Sequence, residues 1–398
     1  MKLLIVIPAL NEEDSIEDII RRTFAAREHI QANSPVTEVA ITVVSDGSTD
    51  RTVERASAFR DSIHLIVFPK NRGYGAAIKT GWLESDADLA GFLDADGTCD
   101  PRFFAVLCST LAEQDADVVL GCRINANSEM PALRRIGNFI FAVLLSVFAK
   151  SRVRDTASGM RVVRRSSLAR LFPLPDGLQF TPAMSARAML SNTIRIREVD
   201  MPYRERVGRS KLSVMKDGLR FLRVIFETAF LYQPSRPLNI GGGCLLLISL
   251  LLMGKPVAHY ATHREVEDWM IYRFLIAYLF ATSAVLLVGA GYITDRIRRI
   301  ALSNESADER LVWAERLFKS RYFWFLPLGL VAAGGTLVLG SAVELLETGH
   351  TNEHWSRYVA MTFCFSTAII LSVIRGIDYV LSLIAERLRY WTTVERLP

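Results

Sequence analysis

Apolar and polar positions divide the chain into two parts with different patterns. Up to about residue 235, short apolar runs alternate with segments that mix apolar and charged residues, as in a water-soluble domain. Beyond it lie four long apolar stretches, at 238–257, 274–294, 323–345 and 358–384. Each is close to the roughly 20 residues that a helix needs to cross a bilayer core. The pattern predicts a soluble domain followed by a membrane domain of four transmembrane helices.

Within the soluble part, strand-like runs alternate with helical segments. The strand-like runs lie at 3–7, 39–44, 64–68 and 89–93. Helical segments follow the first three runs and start near Ser15, Asp50 and Gly75. A β-α-β-α series predicts an α/β domain, Rossmann-like, with a mostly parallel sheet and helices on both faces. In such a sheet, ligands collect at the carboxyl ends of the strands.

Two further segments, 133–149 and 214–230, combine apolar positions with basic residues. Both are too short or too charged to span a bilayer. They could lie flat in the headgroup region or form buried core helices. These patterns predict a catalytic domain at 1–212, an interfacial helix and linker at 213–235, and a membrane domain at 236–398.

Composition and charge support membrane association. The mean hydropathy is +0.22 and 50% of the residues are hydrophobic, which is high for a wholly soluble protein. The net charge is +5, but the basic residues flank the interfacial and membrane segments, so anionic lipid is a better partner than nucleic acid. The five cysteines show no paired spacing, which argues against a zinc site or a disulfide framework.

Basic residues in the loops of the membrane domain predict its orientation. The loop between the third and fourth stretches has only Arg357. The loop between the second and third holds Arg296, Arg298, Arg299, Arg310, Arg316, Lys319 and Arg321. The positive-inside rule makes this Arg-rich loop cytoplasmic, and four spans then place the catalytic domain and both termini on the same side.

His259 and His263 are expected in a loop on the opposite side of the membrane. Gly334-Gly335 in the third stretch would allow close helix approach in a homo-oligomer.

Three polar turns follow predicted strands and converge on one sheet edge: residues 8–13, 45–50 and 94–97. The Asp-Gly-Ser sequence of the second turn is also an ordinary helix cap. Asp94 and Asp96 put two carboxylates side by side, which is costly without a cation. A hard divalent ion on a diphosphate would offset that repulsion, although a solvated acidic turn is the alternative. The glycines of segment 71–77 could approach a phosphate or simply form a turn.

Taken in this order, the motifs resemble those of family 2 glycosyltransferases with the GT-A fold, in the polyprenyl or dolichyl phosphate mannosyl- and glucosyltransferase group. Residues 121–123 (Gly-Cys-Arg) resemble the Gly-Ser-Arg of that group, and 155–161 resemble its Asp-Thr-x-Cys/Ser-Gly-Phe-Lys. Residues 206–212 match its Arg followed by Gly-x-Ser-Lys. The resemblance covers about residues 1–232.

The resemblance implies a role for each matching residue. Asp94 and Asp96 would hold Mg²⁺ or Mn²⁺ on the diphosphate. Pro8, Ala9, Glu12 and Asp46 would hold the base and ribose of the donor nucleotide, and Arg206 and Lys211 would clamp its diphosphate. The acceptor phosphate would be bound by Arg123, Arg134 and Arg135, whose alternative role is lipid-headgroup or helix-end charge. Asp155 would be an active-site residue or only a cap. Ser45-Asp46 stands where many relatives carry Asp-Asp, so the choice between uridine and guanosine donors stays open.

The implied activity is inverting transfer of a hexose from a UDP-glucose-like or GDP-mannose-like donor to a polyprenyl phosphate at the cytoplasmic membrane face. No general base is needed, because a phosphate monoester is an anionic nucleophile near neutral pH. One alternative is a processive polysaccharide synthase, but its Gln-x-x-Arg-Trp motif is not found after the paired aspartates. A second alternative is a non-catalytic membrane scaffold that senses nucleotide.

Overall fold

The computed structural model describes residues 1–126, 128–149, 151–191, 193–204, 214–301, 312–351 and 353–394. The chain forms two compact units, one from Met1 to Tyr232 and one that begins at Gln233. Arg206 and Lys211, two of the predicted donor-binding residues, lie outside the described residues.

A seven-stranded mixed sheet is the centre of the first unit. Its strands are β1 (Lys2–Ala9), β2 (Glu38–Ser45), β3 (His64–Val67), β4 (Leu89–Leu93), β5 (Val118–Cys122), β6 (Met160–Arg164) and β7 (Ile196–Asp200). They lie in the order β3-β2-β1-β4-β6-β5-β7. All pairs are parallel except those of β6, which runs antiparallel to β4 and β5. The predicted mostly parallel α/β fold is confirmed.

The helices of the first unit cover both faces of the sheet. They are α1 (Ile16–Ala32), α2 (Thr52–Ser57), α3 (Tyr74–Leu83), α4 (Phe104–Glu113), α5 (Ala132–Phe148), α6 (Leu168–Leu171), α7 (Phe180–Leu190) and α8 (Val214–Tyr232). Along β1, Leu4 and Val6 join the core that includes α3 and α7, whereas Leu3 and Ile5 join the core that includes α1 and α4. This alternation follows from side chains that point to opposite faces of a strand.

The antiparallel strand β6 brings a distant loop to the end of β4. Its first residue, Met160, pairs with Leu93, the last residue of β4. The amide of Asp94 then donates to the carbonyl of Gly159 at 3.3 Å. Residues 155–159 therefore lie beside the paired aspartates, although about 60 positions separate them in sequence.

Helices α5 and α8 pack on each other and keep an apolar surface exposed. Phe141 and Phe221 make an edge-on ring contact at 5.6 Å, and Leu145 and Ile225 are buried in the core. The exposed apolar residues of the two helices are Ile136, Phe139, Ile140, Val143, Val147, Leu219, Phe226, Phe230 and Leu231. We call this set the outer apolar surface. Each helix thus has one face in the core and another exposed, so neither is an entirely buried core helix.

The second unit consists of long apolar helices. They are α9 (Ser235–His263), α10 (Ile271–Ala301), α11 (Val312–Lys319), α12 (Phe325–Thr348) and α13 (Trp355–Val394). Four of these, all except α11, contain windows long and apolar enough to cross a membrane. Four such helices were expected from the hydropathy pattern, and this part of the fold prediction is confirmed.

The prediction that His259 and His263 lie in a loop is wrong. Helix α9 continues through Pro256 and ends at His263, so both histidines belong to the helix, with their rings stacked at 4.3 Å. A proline inside a helix removes one backbone hydrogen bond, and neighbouring turns can continue beyond it. Gly334 packs within the chain, since a Cβ there would lie 2.9 Å from the Phe365 ring.

Candidate active site

A cavity of about 430 Å³ opens at the carboxyl ends of β1, β2 and β4. Its lining includes eight of the predicted site residues: Pro8, Ala9, Glu12, Asp46, Asp94, Asp96, Arg123 and Arg134. Asp155 and Arg135 are not in the lining. The structure therefore brings the three strand-end turns together, as expected where parallel strands end at a common edge.

Asp46 is buried at the end of β2 and is held by backbone amides. Its Oδ1 accepts from the amide of Arg72 at 2.6 Å, and its Oδ2 accepts from the amide of Gly73 at 2.9 Å. Burial raises the pKa of Asp46 above its ordinary value, and the two amide bonds offset only part of that rise. A Cβ on Gly47 (φ +71°) would lie 2.4 Å from the amide nitrogen of Asn71, so the turn requires glycine.

The turn after β1 is tied to the turn after β2. Asn11 adopts a left-handed φ of +49°, which is uncommon for a residue other than glycine. Its Oδ1 accepts from the amide of Thr49 at 2.8 Å, and its own amide donates to Ser48 Oγ at 3.1 Å. The amide of Glu12 donates to Thr52 Oγ1 at 2.8 Å. These bonds fix the cavity wall that contains the predicted base-binding residues.

Asp94 and Asp96 both reach the cavity from the end of β4. Asp94 Oδ1 accepts from the Tyr74 hydroxyl at 2.6 Å. Burial, and then the charge of Asp94, raise the pKa of Tyr74 well above its ordinary value, so its hydroxyl stays protonated. Asp96 Oδ1 accepts from Thr98 Oγ1 at 2.7 Å. Arg22 donates to the carbonyl of Gly97 at 3.2 Å, which anchors the turn from outside.

The donor atoms of Asp94 and Asp96 fit Mg²⁺ or Mn²⁺. Both groups supply hard carboxylate oxygens at one cavity wall. Across the described part of the chain, no group of three or more His, Cys, Asp or Glu residues could hold a metal ion. A cation here would take its remaining ligands from water or from substrate oxygens, which is how Mg²⁺ is commonly bound with nucleotide phosphates.

Asp155 lies behind Arg123, fully buried. Its carboxylate accepts from Arg123 Nε at 2.7 Å and Nη2 at 2.9 Å, and from Asn138 Nδ2 at 2.6 Å. Burial alone would raise the pKa of Asp155, but the Arg123 charge and these hydrogen bonds outweigh it and hold the pKa below its ordinary value. The same pairing raises the pKa of Arg123 against the effect of burial. Asp155 is therefore placed to orient Arg123 at the cavity edge.

The basic residues of α5 and α8 differ in where they lie. Arg134 lines the cavity, whereas Arg135 donates to the carbonyl of Asn125 at 2.8 Å, outside the lining. Arg220 of α8 also lines the cavity and was not among the predicted site residues. Arg223, one turn further along, pairs with Glu227 at 2.7 Å. Sequence alone gives no signal that separates Arg220 from Arg223, because both are basic positions on one amphipathic helix.

The remaining cavity residues were assigned no role from sequence. They are Leu10, Asn71, Gly73, Tyr74, Ala95, Thr98, Ala157, Gly177, Leu178, Thr181, Tyr203 and Phe221. None has a charge that would single it out. Six of them lie inside motifs described above, namely Leu10, Asn71, Gly73, Tyr74, Ala95 and Ala157. The glycine turn at 71–77 leads into the cavity wall through Gly73 and Tyr74.

Comparison with known proteins identifies the family. The model of glycosyl transferase family 2 matches residues 4–172. An undecaprenyl-phosphate 4-deoxy-4-formamido-L-arabinose transferase of Pseudomonas paraeruginosa is 31% identical over 307 residues, which are 74% of this chain and 85% of that protein. The chain belongs to glycosyl transferase family 2. The matched region of this family 2 protein contains all three strand-end turns, Arg123 and Asp155, and it ends before α8 and Arg220.

Other similar proteins include two from Haloferax volcanii. A low-salt glycan biosynthesis hexosyltransferase is 31% identical over 254 residues, which are 63% of this family 2 chain and 59% of that relative. A dolichyl-phosphate hexose transferase is 34% identical over 182 residues, 44% of this chain and 75% of that relative. A solved structure of Mycobacterium tuberculosis glucosyl-3-phosphoglycerate synthase with Mn²⁺, UDP-glucose and phosphoglyceric acid has 20% identity and a TM-score of 0.43, over 57% of this chain and 79% of that one.

Proposed function

We propose that this family 2 protein is a polyprenyl-phosphate glycosyltransferase that moves a hexose from a nucleotide diphosphate to a lipid phosphate. The proposal rests on the distribution of acidic and basic side chains in one cavity. Its acids, Asp46, Asp94 and Asp96, come from strand ends, and its cations Arg134 and Arg220 come from α5 and α8. Two of the relatives described above are named for transfer involving an undecaprenyl or dolichyl phosphate, which supports this acceptor.

We assign the side of the cavity that carries Asp46, Asp94 and Asp96 to the sugar donor. Pro8, Ala9, Glu12 and Asp46 would hold the base and ribose. Asp94 and Asp96 would hold Mg²⁺ or Mn²⁺, which when bound neutralises charge on the departing nucleotide diphosphate. Arg206 and Lys211, outside the described residues, would add positive charge to the same group.

We assign the side of the cavity that carries Arg134 and Arg220 to the phosphate of the lipid acceptor. A guanidinium fork matches the oxygens of a phosphate, and Arg134 and Arg220 would charge-match and orient it. Arg123, held by Asp155, would complete this wall. Arg135 was predicted here as well, but its bond to the Asn125 carbonyl favours a role in ordering the loop after β5. The outer apolar surface beside these arginines suits the acyl region under an anionic headgroup.

The reaction needs no proton transfer from the protein. An oxygen of the lipid phosphate attacks the anomeric carbon, a new C–O bond forms, and the bond to the diphosphate oxygen breaks with its electron pair. In-line attack inverts the anomeric configuration. The protein's part is positioning and electrostatic stabilisation, which supply most of the rate enhancement in such displacements.

The proposed setting is an integral membrane protein. The four long apolar helices of the second unit would cross the bilayer. By the distribution of basic residues, the Arg-rich segment, which the structure places largely at the end of α10 and in α11, would face the cytoplasm with the catalytic unit and both termini. Self-association through the membrane helices remains a prediction.

Nucleotide diphosphate release tests this assignment against its two alternatives. The full chain would be assayed with separate UDP- and GDP-sugars, with and without polyprenyl phosphate and Mn²⁺ or Mg²⁺. We expect release with one donor that requires both the lipid phosphate and the cation, and its loss in Asp94→Ala. Release without lipid phosphate, together with polymer, would favour a polysaccharide synthase. Nucleotide binding without release under any condition would favour a scaffold.

A further inference from the structure

Tyr74 occupies a fixed position between two acidic residues of the cavity, Asp46 and Asp94. It is the first residue of α3 and follows Gly73, whose φ is +108°. Its ring meets Phe92 and Phe180 edge-on, with centroid distances of 6.4 Å to each. A Cβ on Gly75 would lie 2.2 Å from the carbonyl oxygen of Pro175, so the start of α3 is pressed against that segment. The packing leaves the Tyr74 ring little freedom to move.

The Tyr74 hydroxyl fixes one side of the Asp94 carboxylate. It donates to Asp94 Oδ1 at 2.6 Å. On the other side, an ideal Cβ on Gly159 would lie 1.7 Å from Asp94 Oδ2. The carboxylate is thus placed between a hydroxyl donor and a glycine backbone, and its orientation is set by both.

The same short segment also binds Asp46, one of the residues predicted to hold the nucleotide base and ribose. The amides of Arg72 and Gly73 donate to Asp46, and the next residue donates to Asp94. Residues 72–74 therefore provide donors to two acids that follow different strands. One rigid segment sets the spacing between the predicted base site and the predicted cation site.

We propose that Tyr74 is a positioning residue for Asp94, which sets the orientation in which this carboxylate meets a divalent cation. The proposal rests on the proposed function, since the cation is assigned there. Hydrogen bonds to a ligating carboxylate fix its geometry, and their loss typically weakens metal affinity by about 10- to 100-fold. The Tyr74 side chain does not itself take part in glycosyl transfer.

The experiment measures Mn²⁺ binding directly, by the electron paramagnetic resonance signal of free Mn²⁺ in titrations of the purified full chain with UDP or GDP present. We expect Tyr74→Phe to raise the Mn²⁺ dissociation constant by about 10-fold or more. Nucleotide affinity without metal should stay unchanged. Tyr232→Phe is the matched control, because it removes a hydroxyl from the same unit away from the cavity, and it should bind Mn²⁺ as the wild type does.

A double-mutant cycle separates positioning from general loss of structure. If Tyr74 acts through Asp94, Tyr74→Phe should cause no further loss of Mn²⁺ affinity in an Asp94→Asn background, but should still weaken binding in Asp96→Asn. An unchanged Mn²⁺ affinity in Tyr74→Phe, or an equal loss in the Asp94→Asn background, would overturn the inference. If the variants change Mn²⁺ binding as expected but the wild type transfers no sugar to lipid phosphate, only the proposed function is contradicted.

Discussion

At the scale of single residues, Asp155 shows how a motif residue can serve a site that it does not line. It is fully buried and forms a two-point ion pair with Arg123, while Asn138 completes its hydrogen bonding. Separating such a pair by removing one partner leaves the other charge buried and uncompensated. The pair is therefore expected to hold the cavity edge in place.

Replacement of Asp155 by Asn should destabilise the first unit. Loss of one partner from a buried pair typically costs about 3–5 kcal/mol. Thermal or denaturant unfolding of the full chain, followed by a probe in the first unit, would measure it. Arg164→Ala is a suitable comparison, because its partner Asp115 is exposed and the pair is longer, at 3.4 Å. A loss no larger than that of Arg164→Ala would contradict the structural importance of the Arg123–Asp155 pair.

The same pair predicts a pH dependence of stability. The pKa of Asp155 is lowered in the fold, so its contribution is fully present above the unfolded value of about 3.9 and is lost as pH falls through the folded value. The stability difference between wild type and Asp155→Asn should therefore be constant from pH 8 to pH 5 and shrink only below about pH 4. A difference that grows as pH falls from 7 to 5 would show that folding raises the pKa of Asp155, and a difference that stays constant below pH 4 would show that folding leaves this pKa unchanged; either result would contradict the lowered pKa.

Arg220 and Arg223 provide a matched pair on α8. Both changes to Ala remove one positive charge, but only Arg220 lines the cavity, while Arg223 pairs with Glu227. We expect Arg220→Ala to raise the KM for polyprenyl phosphate by about 10-fold or more, as loss of a charge-assisted contact of 1.5–3 kcal/mol implies. Nucleotide affinity should not change, and Arg220→Lys should recover part of the loss. Equal effects of Arg220→Ala and Arg223→Ala on that KM would contradict the acceptor assignment.

Three of the residues predicted from sequence are acids at strand ends. Asp46, Asp94 and Asp96 could be predicted because carboxylates directly after apolar runs stand out and parallel strands end together. The partner of Arg123 could not be derived from spacing, since it depends on how β6 enters the sheet. Arg220 was missed because helical periodicity shows which face is polar but not which polar residue reaches a cavity.

At the scale of elements, α5 and α8 combine core packing with an open apolar face. The inner residues of α5 join the core, while Phe139 and Ile140 are 63% and 54% exposed. Exposed apolar positions that recur along a helix beside basic residues are typical of helices at a membrane surface. We infer that this outer apolar surface guides the lipid acceptor to the cavity.

A charge placed on that surface should impair use of the lipid. Ile140→Glu is expected to reduce transfer to a long-chain polyprenyl phosphate by at least several-fold while nucleotide binding stays intact, because an anion on this face opposes contact with an anionic, apolar phase. Val106→Glu on α4 is the control, since Val106 is 42% exposed on another helix. A similar loss in both variants would point to general destabilisation and away from a lipid-guiding surface.

The elements themselves were predictable to different degrees. The β-α-β-α series up to β4 could be inferred because each unit is local in sequence. The antiparallel insertion of β6 between β4 and β5 could not, because pairing between distant strands leaves no periodic signal. The end of α9 was misplaced for a related reason: Pro256 resembles a helix boundary in sequence, whereas the helix continues to His263.

At the scale of the whole molecule, each of the two compact units has its own chemistry. The first carries a cavity with acidic and basic walls, and the second carries four helices suited to a membrane. In the second unit, buried Asp378 accepts from the Tyr292 hydroxyl and Arg296 Nε, both at 2.9 Å. Helices α10 and α13 are thereby joined by polar contacts as well as apolar packing. Hydropathy predicts such helices well, because a membrane span has a minimum length.

Product analysis with paired acceptors tests most directly whether a lipid phosphate is the nucleophile. The purified full chain would be given each radiolabelled UDP- or GDP-sugar with Mg²⁺ or Mn²⁺, and either undecaprenyl phosphate or undecaprenol. We expect label in the organic phase with one donor, only when the acceptor carries a phosphate, and its loss in Asp96→Ala. Equal transfer to undecaprenol, or no lipid product from any donor despite nucleotide binding, would contradict the assignment of a lipid phosphate as the nucleophile.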